Sequence, residues 1–322
     1  MQIAIIGGGM AGIFAAGRLK ELGHSPFIIE KSRSVGGRMA TRRINRGQAD
    51  HGAQFFTVRS ETMQKYTDSW LEQGIVKHWF GGRYPRYTGV DGMNGFAKVL
   101  AENLDMILQE KIIRIEADKQ SVTLASEDGE LYFADAAVIT PPVPQALELI
   151  ENSALHLNDT TKAALAAGSF RPCFVGLFEL EEAFEIGTHG IVDEDLPPGV
   201  DKIAANDQKG ISPVPLLSVY MTGDWSTNHF EKSDEEVLTA LQEAATPYLR
   251  EARIKSSQLK RWKFSEALHT YNQPYLQLDD YPIYVAGDSF LTKEDESGKT
   301  RIESAALSGF HTAEAIISRF NS

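Results

Sequence analysis

Residues 3–43 read IAIIGGGMAGIFAAGRLKELGHSPFIIEKSRSVGGRMATRR. The β-branched run at its start, Ile3 to Ile6, suits a parallel strand buried on both faces. From Gly12 to Leu22 the period becomes helical, with Ile13, Ala16, Leu19 and Leu22 in one stripe, and Gly23 is placed to end the helix. Pro26 to Glu30 reads as a second strand, which completes a β-α-β unit.

Gly7, Gly9 and Gly12 fall in the G-x-G-x-x-G spacing, directly after the strand and at the opening of the helix. Gly7 allows a tight turn, Gly9 lets the backbone approach a pyrophosphate, and Gly12 lets helix and strand pack closely. The phosphate then meets the helix N-terminus at Met10 and Ala11. Glu30, with Lys31 behind it, ends the second strand 18 residues after Gly12. A carboxylate there accepts from both ribose hydroxyls of an adenosine and disfavours a 2′-phosphate. This much does not separate NAD from FAD. The second glycine pair, Gly36-Gly37 running into Arg38 and Met39, does. An NAD-binding unit has no need of it, whereas the pyrophosphate of FAD continues into a ribityl chain and flavin, where close backbone approach and a cation are useful.

The composition is that of an ordinary soluble protein with core enough for two domains: 322 residues, 42% hydrophobic and 24% charged. A formal net charge of -12 argues against a general nucleic-acid binder, which needs a basic surface. Cys173 is the only cysteine, so no internal disulfide, zinc cluster or iron–sulfur site is expected, and the residue reads as a small core side chain. No metal site is expected. MQIAIIGGG lacks the basic region and cleavage site of an export signal, and no apolar run approaches the ~20 residues of a membrane helix. The expectation is a cytoplasmic protein without a membrane partner. Nothing in the chain demands more than a monomer or weak dimer.

Farther along, helices are expected over 60–77 and 93–104, separated by the aromatic, glycine-rich HWFGGRYPRYTGVDGMNG. IIRIEA, SVTLAS, ELYFAD and AAVIT then alternate with period two, as strands do. PPVP, Pro141 to Pro144, marks a domain crossing. Helix is expected over 145–167, and strands at Cys173–Glu181, Leu216–Thr222 and Gly190–Asp193. SDEE opens a helix from Ser233 to Tyr248, Ile283 to Ala286 is a buried strand, and Ile302 to Phe320 is a final helix. The charged loop LTKEDESGKTR, 291–301, is the segment best suited to mobility.

GGGMAG, IIEKSRSVGGRMATRR and DHGAQFFTVR together resemble the glutathione-reductase-like flavoproteins that include the amine oxidases. Within these the chain is most similar to the renalase branch, through GGRMATRR, DHGAQFFTVR, RYTGVDGMNGFAK, KRWKFSEA, YVAGDSF and RIESAALSGFHTAEAI. The resemblance implies an α/β fold: a Rossmann-like FAD domain from residues 1–59, 93–141 and 276–322, and an α+β substrate domain from 60–92 and 142–275 on a mixed or antiparallel sheet. It implies Glu30 on the ribose and Arg38 on the pyrophosphate and ribityl region. Ala53, Gln54 and Phe55 would lie beside the flavin, and Ile112 would reach the adenine through its backbone. Gly287-Asp288 would meet the ribityl chain or phosphates. Arg301, Ile302, Glu303 and Ala305 would place a helix N-terminus at the pyrimidine end of the ring. Plainer readings exist: Asp288 as a strand-end cap, Arg301 with Glu303 as a surface ion pair, Gln54 as a satisfied core amide. Ser304 stands where the family often has glycine. No cysteine occurs in the C-terminal segment, so the FAD is expected to be non-covalent.

A flavin carries its own redox chemistry. A dihydropyridine that gives up hydride needs no acid–base triad, and none is evident. The substrate-pocket candidates are polar or aromatic: Gln54, Tyr84, Tyr220, Trp225, Trp262 and His269, with Trp79, Phe80 and Tyr87 nearby. Similarity to renalases implies oxidation of the 2- or 6-dihydro isomers of NAD(P)H to NAD(P)+, with dioxygen reduced to hydrogen peroxide. The alternative is a flavin amine oxidase or desaturase acting on another small donor.

Overall fold

The strand Gln2–Ile6 lies in the interior of a six-stranded sheet in the structure, a computed structural model that describes all residues except 250, 251, 294, 296 and 322. Two of these, 294 and 296, belong to the charged loop 291–301, and its expected mobility there lies outside the described residues. On one side of Gln2–Ile6 the chain adds Ser25–Glu30 and Asp105–Leu108, and on the other Ala136–Ile139 and Ile283–Val285, all in parallel. Leu276–Gln277 closes one edge antiparallel. The order reverses beside the first strand, so a crevice opens at its C-terminal end, where Gly7 begins.

Both faces of the sheet are covered, which explains the unbroken apolar runs. Ile3, Ile5, Ile28 and Val138 pack against Ala15, Ala16 and Leu19 of helix Met10–Glu21 and against Ala313 and Ile316 of helix Ile302–Phe320. A Cβ on Gly309 would stand 2.0 Å from the Ala11 carbonyl oxygen, so only glycine lets these helices approach so closely. Ala4, Ile6, Ile29 and Ile139 face the opposite layer, where Ile115, Val122, Leu124 and Ala134 come from an antiparallel three-stranded sheet over residues 112–134.

The expected helix over 145–167 is two, Val143–Glu151 and Asp159–Ala166. Asn158 breaks it: its side chain accepts the Thr161 N–H at 2.8 Å and so starts a new helix. Val143, Ala146, Leu149 and Leu165 of the pair lie in the same cluster as Ile6, Ile139 and Val285, against the first sheet.

The second sheet is antiparallel, with five strands in the order Ile191–Val192, Val200–Ala205, Leu216–Met221, Phe170–Leu180 and Ile254–Ala267. Helix Asp234–Leu249 covers one face through Val237, Leu241 and Ala245, against Phe174, Phe178, Leu217 and Val219. The other face, with Val175, Leu177, Leu216 and Tyr220, receives Ile44 and Ala49 from a hairpin built of Thr41–Ile44 and Gly47–Asp50. The segment after the second glycine turn is therefore clamped onto the second sheet, and residues 51–57 emerge between the two layers. Among the described residues, no helix is long and apolar enough to cross a membrane, and no group of His, Cys, Asp and Glu could hold a metal ion.

Candidate active site

The crevice at the first strand is built of two facing glycine turns. Gly7 has φ of +105°, and a Cβ on Gly12 would stand 2.1 Å from the Gly7 carbonyl oxygen. Gly37 sits with φ of +51° close to Gly9, and Gly36 N–H donates to Gly8 O at 2.8 Å. In front of Gly9 a Cβ would meet nothing within 4 Å. Helix Met10–Glu21 opens there with no side-chain cap and no acid in its first turn, which leaves its N-terminal N–H groups for an anion. Glu30, at the end of its strand, takes the Gly8 N–H on one oxygen and the Ser32 N–H on the other, each at 2.7 Å. The Glu110 N–H bonds to the Glu30 carbonyl at 3.1 Å, which brings the segment leading to Ile112 alongside. An open glycine face, an uncapped helix N-terminus and a fixed carboxylate are what an adenosine diphosphate requires.

From this crevice Arg38 points toward the second sheet. Its guanidinium forms a bidentate pair with Asp288, with Nη1 to Oδ2 at 2.8 Å, and donates to Ser265 O at 3.1 Å. Asp288 follows Gly287, whose N–H is held by Ser308 Oγ at 2.9 Å.

Beyond Arg38 lies a cavity of about 260 Å³ between residues 52–57, Lys202 and Tyr220 of the second sheet, and residues 300–302 at the start of the last helix. Its floor is tightly placed. Ala53 N–H donates to Arg38 O at 2.9 Å, and Phe56 exchanges two 2.9 Å backbone bonds with Tyr87. A Cβ on Gly52 would lie 1.8 Å from the Arg38 carbonyl oxygen.

Beneath this floor is a buried polar network. The Lys209 ammonium and the Asp50 carboxylate, both 0% exposed, pair at 2.6 Å. Lys209 also donates to Gln54 O at 2.5 Å and Gln54 Oε1 at 3.0 Å. The Gln54 amide in turn donates at 2.6 Å to Asp50 O and to the Tyr220 hydroxyl, and that hydroxyl donates to Gly52 O at 2.8 Å. Asn206 Oδ1 accepts the Asp50 N–H, while Thr41 Oγ1 and the Met93 N–H serve Asp50 Oδ1. Burial lowers the Lys209 pKa, with the Asp50 charge opposing it, and burial pushes the Tyr220 phenol well above its ordinary value.

At the other wall Arg301 is held between two buried carboxylates, Asp295 at 2.5 Å and Glu303 at 2.8 Å. Burial works to raise the Asp295 carboxyl, but bonds from Ser297 and Ser304 and the Arg301 charge outweigh it and hold it below its usual range. Glu303 Oε1 also takes the N–H groups of Arg59 and Ser60 and the Ser60 hydroxyl.

The profile of the family described as flavin containing amine oxidoreductase matches residues 55–317, most of the chain. The chain belongs to this family. A profile for an NAD(P)-binding Rossmann-like domain matches residues 5–70, over the two glycine turns. The flavin-dependent L-tryptophan oxidase RebO of Lentzea aerocolonigenes is 26% identical over 162 residues, 47% of this chain but only 34% of that oxidase. Two solved structures share the fold over 99% of both chains. One is a protein assigned as a protoporphyrinogen oxidase from Exiguobacterium sp. 255-15, with TM-score 0.73 and 13% identity. The other is a triple mutant of putrescine oxidase redesigned in cofactor binding, with TM-score 0.69 and 15% identity.

Membership carries the cofactor with it, and the two glycine turns of this flavoprotein fit the diphosphate of FAD. Gly7, Gly9, Met10, Ala11, Gly12 and Gly37 would hold the diphosphate, Glu30 the ribose, and Arg38 with Asp288 the stretch toward the cavity. Lys31 is exposed and reaches Gln145 at 3.3 Å, while Met39 and Ala305 are core residues. Of the pocket candidates, Gln54 and Tyr220 line the cavity, yet both spend their polar atoms in the network below it. The other four do not line it. Trp262 stacks on His51 with centroids 5.4 Å apart and donates to His51 O, and Trp225 stacks on His229 at 3.8 Å in the second core. His269 packs edge-on against Tyr271 at 4.7 Å, and Tyr84 lies in the aromatic loop. Sequence reasoning assigned nothing to Asp50, Asn206, Lys202, Lys209 or Asp295. Only Asp50 had a signal, its place in DHGAQFF.

Proposed function

We propose that this protein oxidises the 2- and 6-dihydro isomers of NAD(P)H to NAD(P)+, with dioxygen as the final acceptor and hydrogen peroxide as product. The observation that carries this reading is the chemistry of the cavity wall. Among the described residues, none of its lining side chains is a histidine or a carboxylate, and the phenol there, Tyr220, is held protonated by burial. An amine donor must reach the site uncharged, which ordinarily calls for a base. A dihydropyridine needs none, because its ring becomes aromatic as hydride departs. Bound FAD would supply the hydride acceptor and return the electrons to dioxygen.

The chain's own residues would bind and orient the donor. Arg301 in the wall is backed by Asp295 and Glu303, which lie behind the lining and bring the three together to a formal charge of -1, and Lys202 is offset by Asp201 at 3.1 Å. Such a wall favours a donor that turns into a pyridinium cation. It disfavours an amino acid, since Arg301, the guanidinium among the described lining residues, is already taken by two carboxylates. The Lys209 network keeps residues 52–57 in place while the donor enters.

The test is anaerobic mixing of the FAD-loaded protein with isomerised NADH. Bleaching of the flavin absorbance within seconds, and peroxide on readmission of air, is expected. No bleaching ends this reading. Peroxide production from simple amines would put amine oxidation, the chemistry named in the family's description, in its place.

A further inference from the structure

Around Tyr84 the surface runs against the charge of the whole chain. The Arg59 guanidinium lies 4.6 Å and that of Arg83 5.3 Å from the Tyr84 ring centroid. Arg86 donates to Tyr84 O at 3.3 Å and lies over the rings of Phe80 and Phe55, at 5.1 and 5.8 Å. Among the described residues none of the three arginines is paired with a carboxylate, in a protein of net charge -12. The Arg86 Nε–H is buried and has no acceptor. Arginines stacked on aromatic faces keep their planar forks for a ligand, and the fork matches a phosphate.

The cluster also adjoins the cavity. Phe55, under Arg86, is in the cavity floor, as is Thr57, two residues before Arg59. A space of about 260 Å³ holds a ring but leaves most of a dinucleotide outside. Inside, carboxylates behind the lining offset Arg301 and Lys202, and the cluster outside is positive, a distribution that suits a dinucleotide whose ring becomes a cation while its phosphates stay anionic.

We propose that Arg59, Arg83 and Arg86 form a phosphate subsite that takes the diphosphate of a dinucleotide donor whose dihydronicotinamide occupies the cavity. This rests on the reaction proposed above and makes the donor a dinucleotide rather than a nicotinamide riboside. It is separate from the glycine turns that would hold the cofactor's own diphosphate.

The experiment compares isomerised NADH with the isomerised dihydronicotinamide riboside, which lacks phosphate, on the FAD-loaded wild type and the Arg83→Gln/Arg86→Gln variant. Loss of two charged contacts should raise KM for the dinucleotide about 10- to 100-fold and leave kcat within about twofold. The riboside KM should not move. In the wild type, added salt should raise KM for the dinucleotide alone. Equal KM values for the two donors, or a variant that shifts both alike, would overturn the subsite. If neither donor bleaches the flavin, the proposed reaction fails, and binding of NAD+ to the loaded protein decides the subsite by itself. Binding that weakens about tenfold in the variant supports it, and binding that is absent or equal in both proteins overturns it.

Discussion

Lys209→Met is the sharpest perturbation the structure offers. The ammonium is 0% exposed and serves three acceptors, Asp50 Oδ2 at 2.6 Å, Gln54 O at 2.5 Å and Gln54 Oε1 at 3.0 Å. Methionine fills nearly the same volume, so the loss is electrostatic: a carboxylate without exposure keeps no cation, and two acceptors lose a donor. Removing one member of a buried pair costs about 3–5 kcal/mol. With an unfolding entropy of about 2.1 cal/mol/K per residue, this chain gains about 0.7 kcal/mol/K, so Tm should fall by about 4–7 °C. Thermal unfolding of the FAD-loaded protein, followed by circular dichroism, reads this directly. Adding Asp50→Asn should recover part of the loss by removing the stranded charge. A drop below about 1 °C in the single variant, or a double variant worse than the sum of both singles, would refute the account of the pair.

Three further outcomes are expected. Gly9→Ala should leave stability within about 0.5 kcal/mol, since its Cβ meets nothing within 4 Å, yet weaken FAD binding at least about tenfold by standing where the diphosphate approaches. Fluorescence titration of the apoprotein reads the second effect and its melting curve the first. Burial, reinforced by the Lys260 and Arg42 charges, lowers the His51 pKa from 6.5 to about 4. The unfolded chain therefore binds this proton first, and stability that is full above pH 6.5 should be lost as pH falls toward 4, by about 3 kcal/mol. Denaturant titrations should show this slope in the wild type and not in His51→Gln. Burial pushes the Cys173 thiol up to about 12, so iodoacetamide at pH 8 should label it only after unfolding.

The β-α-β unit was legible because its glycines are dictated by backbone contacts, and such demands appear in the sequence as fixed spacing. Gly12 against Gly7 is one such contact. The strand Ile254–Ala267 was not legible. Its side chains, KSSQLKRWKFSE among them, are polar on both faces, and backbone pairing with Phe170–Leu180 holds it at the sheet edge. The Asp50–Lys209 pair was invisible for another reason: its members are 159 positions apart, and a single long-range contact has no period. Aromatic identity misled in the cavity. Trp225 and Trp262 have the composition of a pocket wall, but large rings serve cores as readily, and stacking on His229 and His51 is where these two went.

The contact of Gly309 with Ala11 joins the helix after the first glycine turn to one made nearly three hundred residues later. During synthesis at about 5–20 residues per second, the opening strand therefore waits on the order of tens of seconds before its covering helix has left the ribosome. Until then Ile3, Ile5 and Ile28 lack half their shelter, and Arg38 has no Asp288. The pairing of Arg38 with Asp288 thus belongs to the close of translation, and any stop codon ahead of residue 302 yields a product whose opening strand and helix stay without the cover of the last helix.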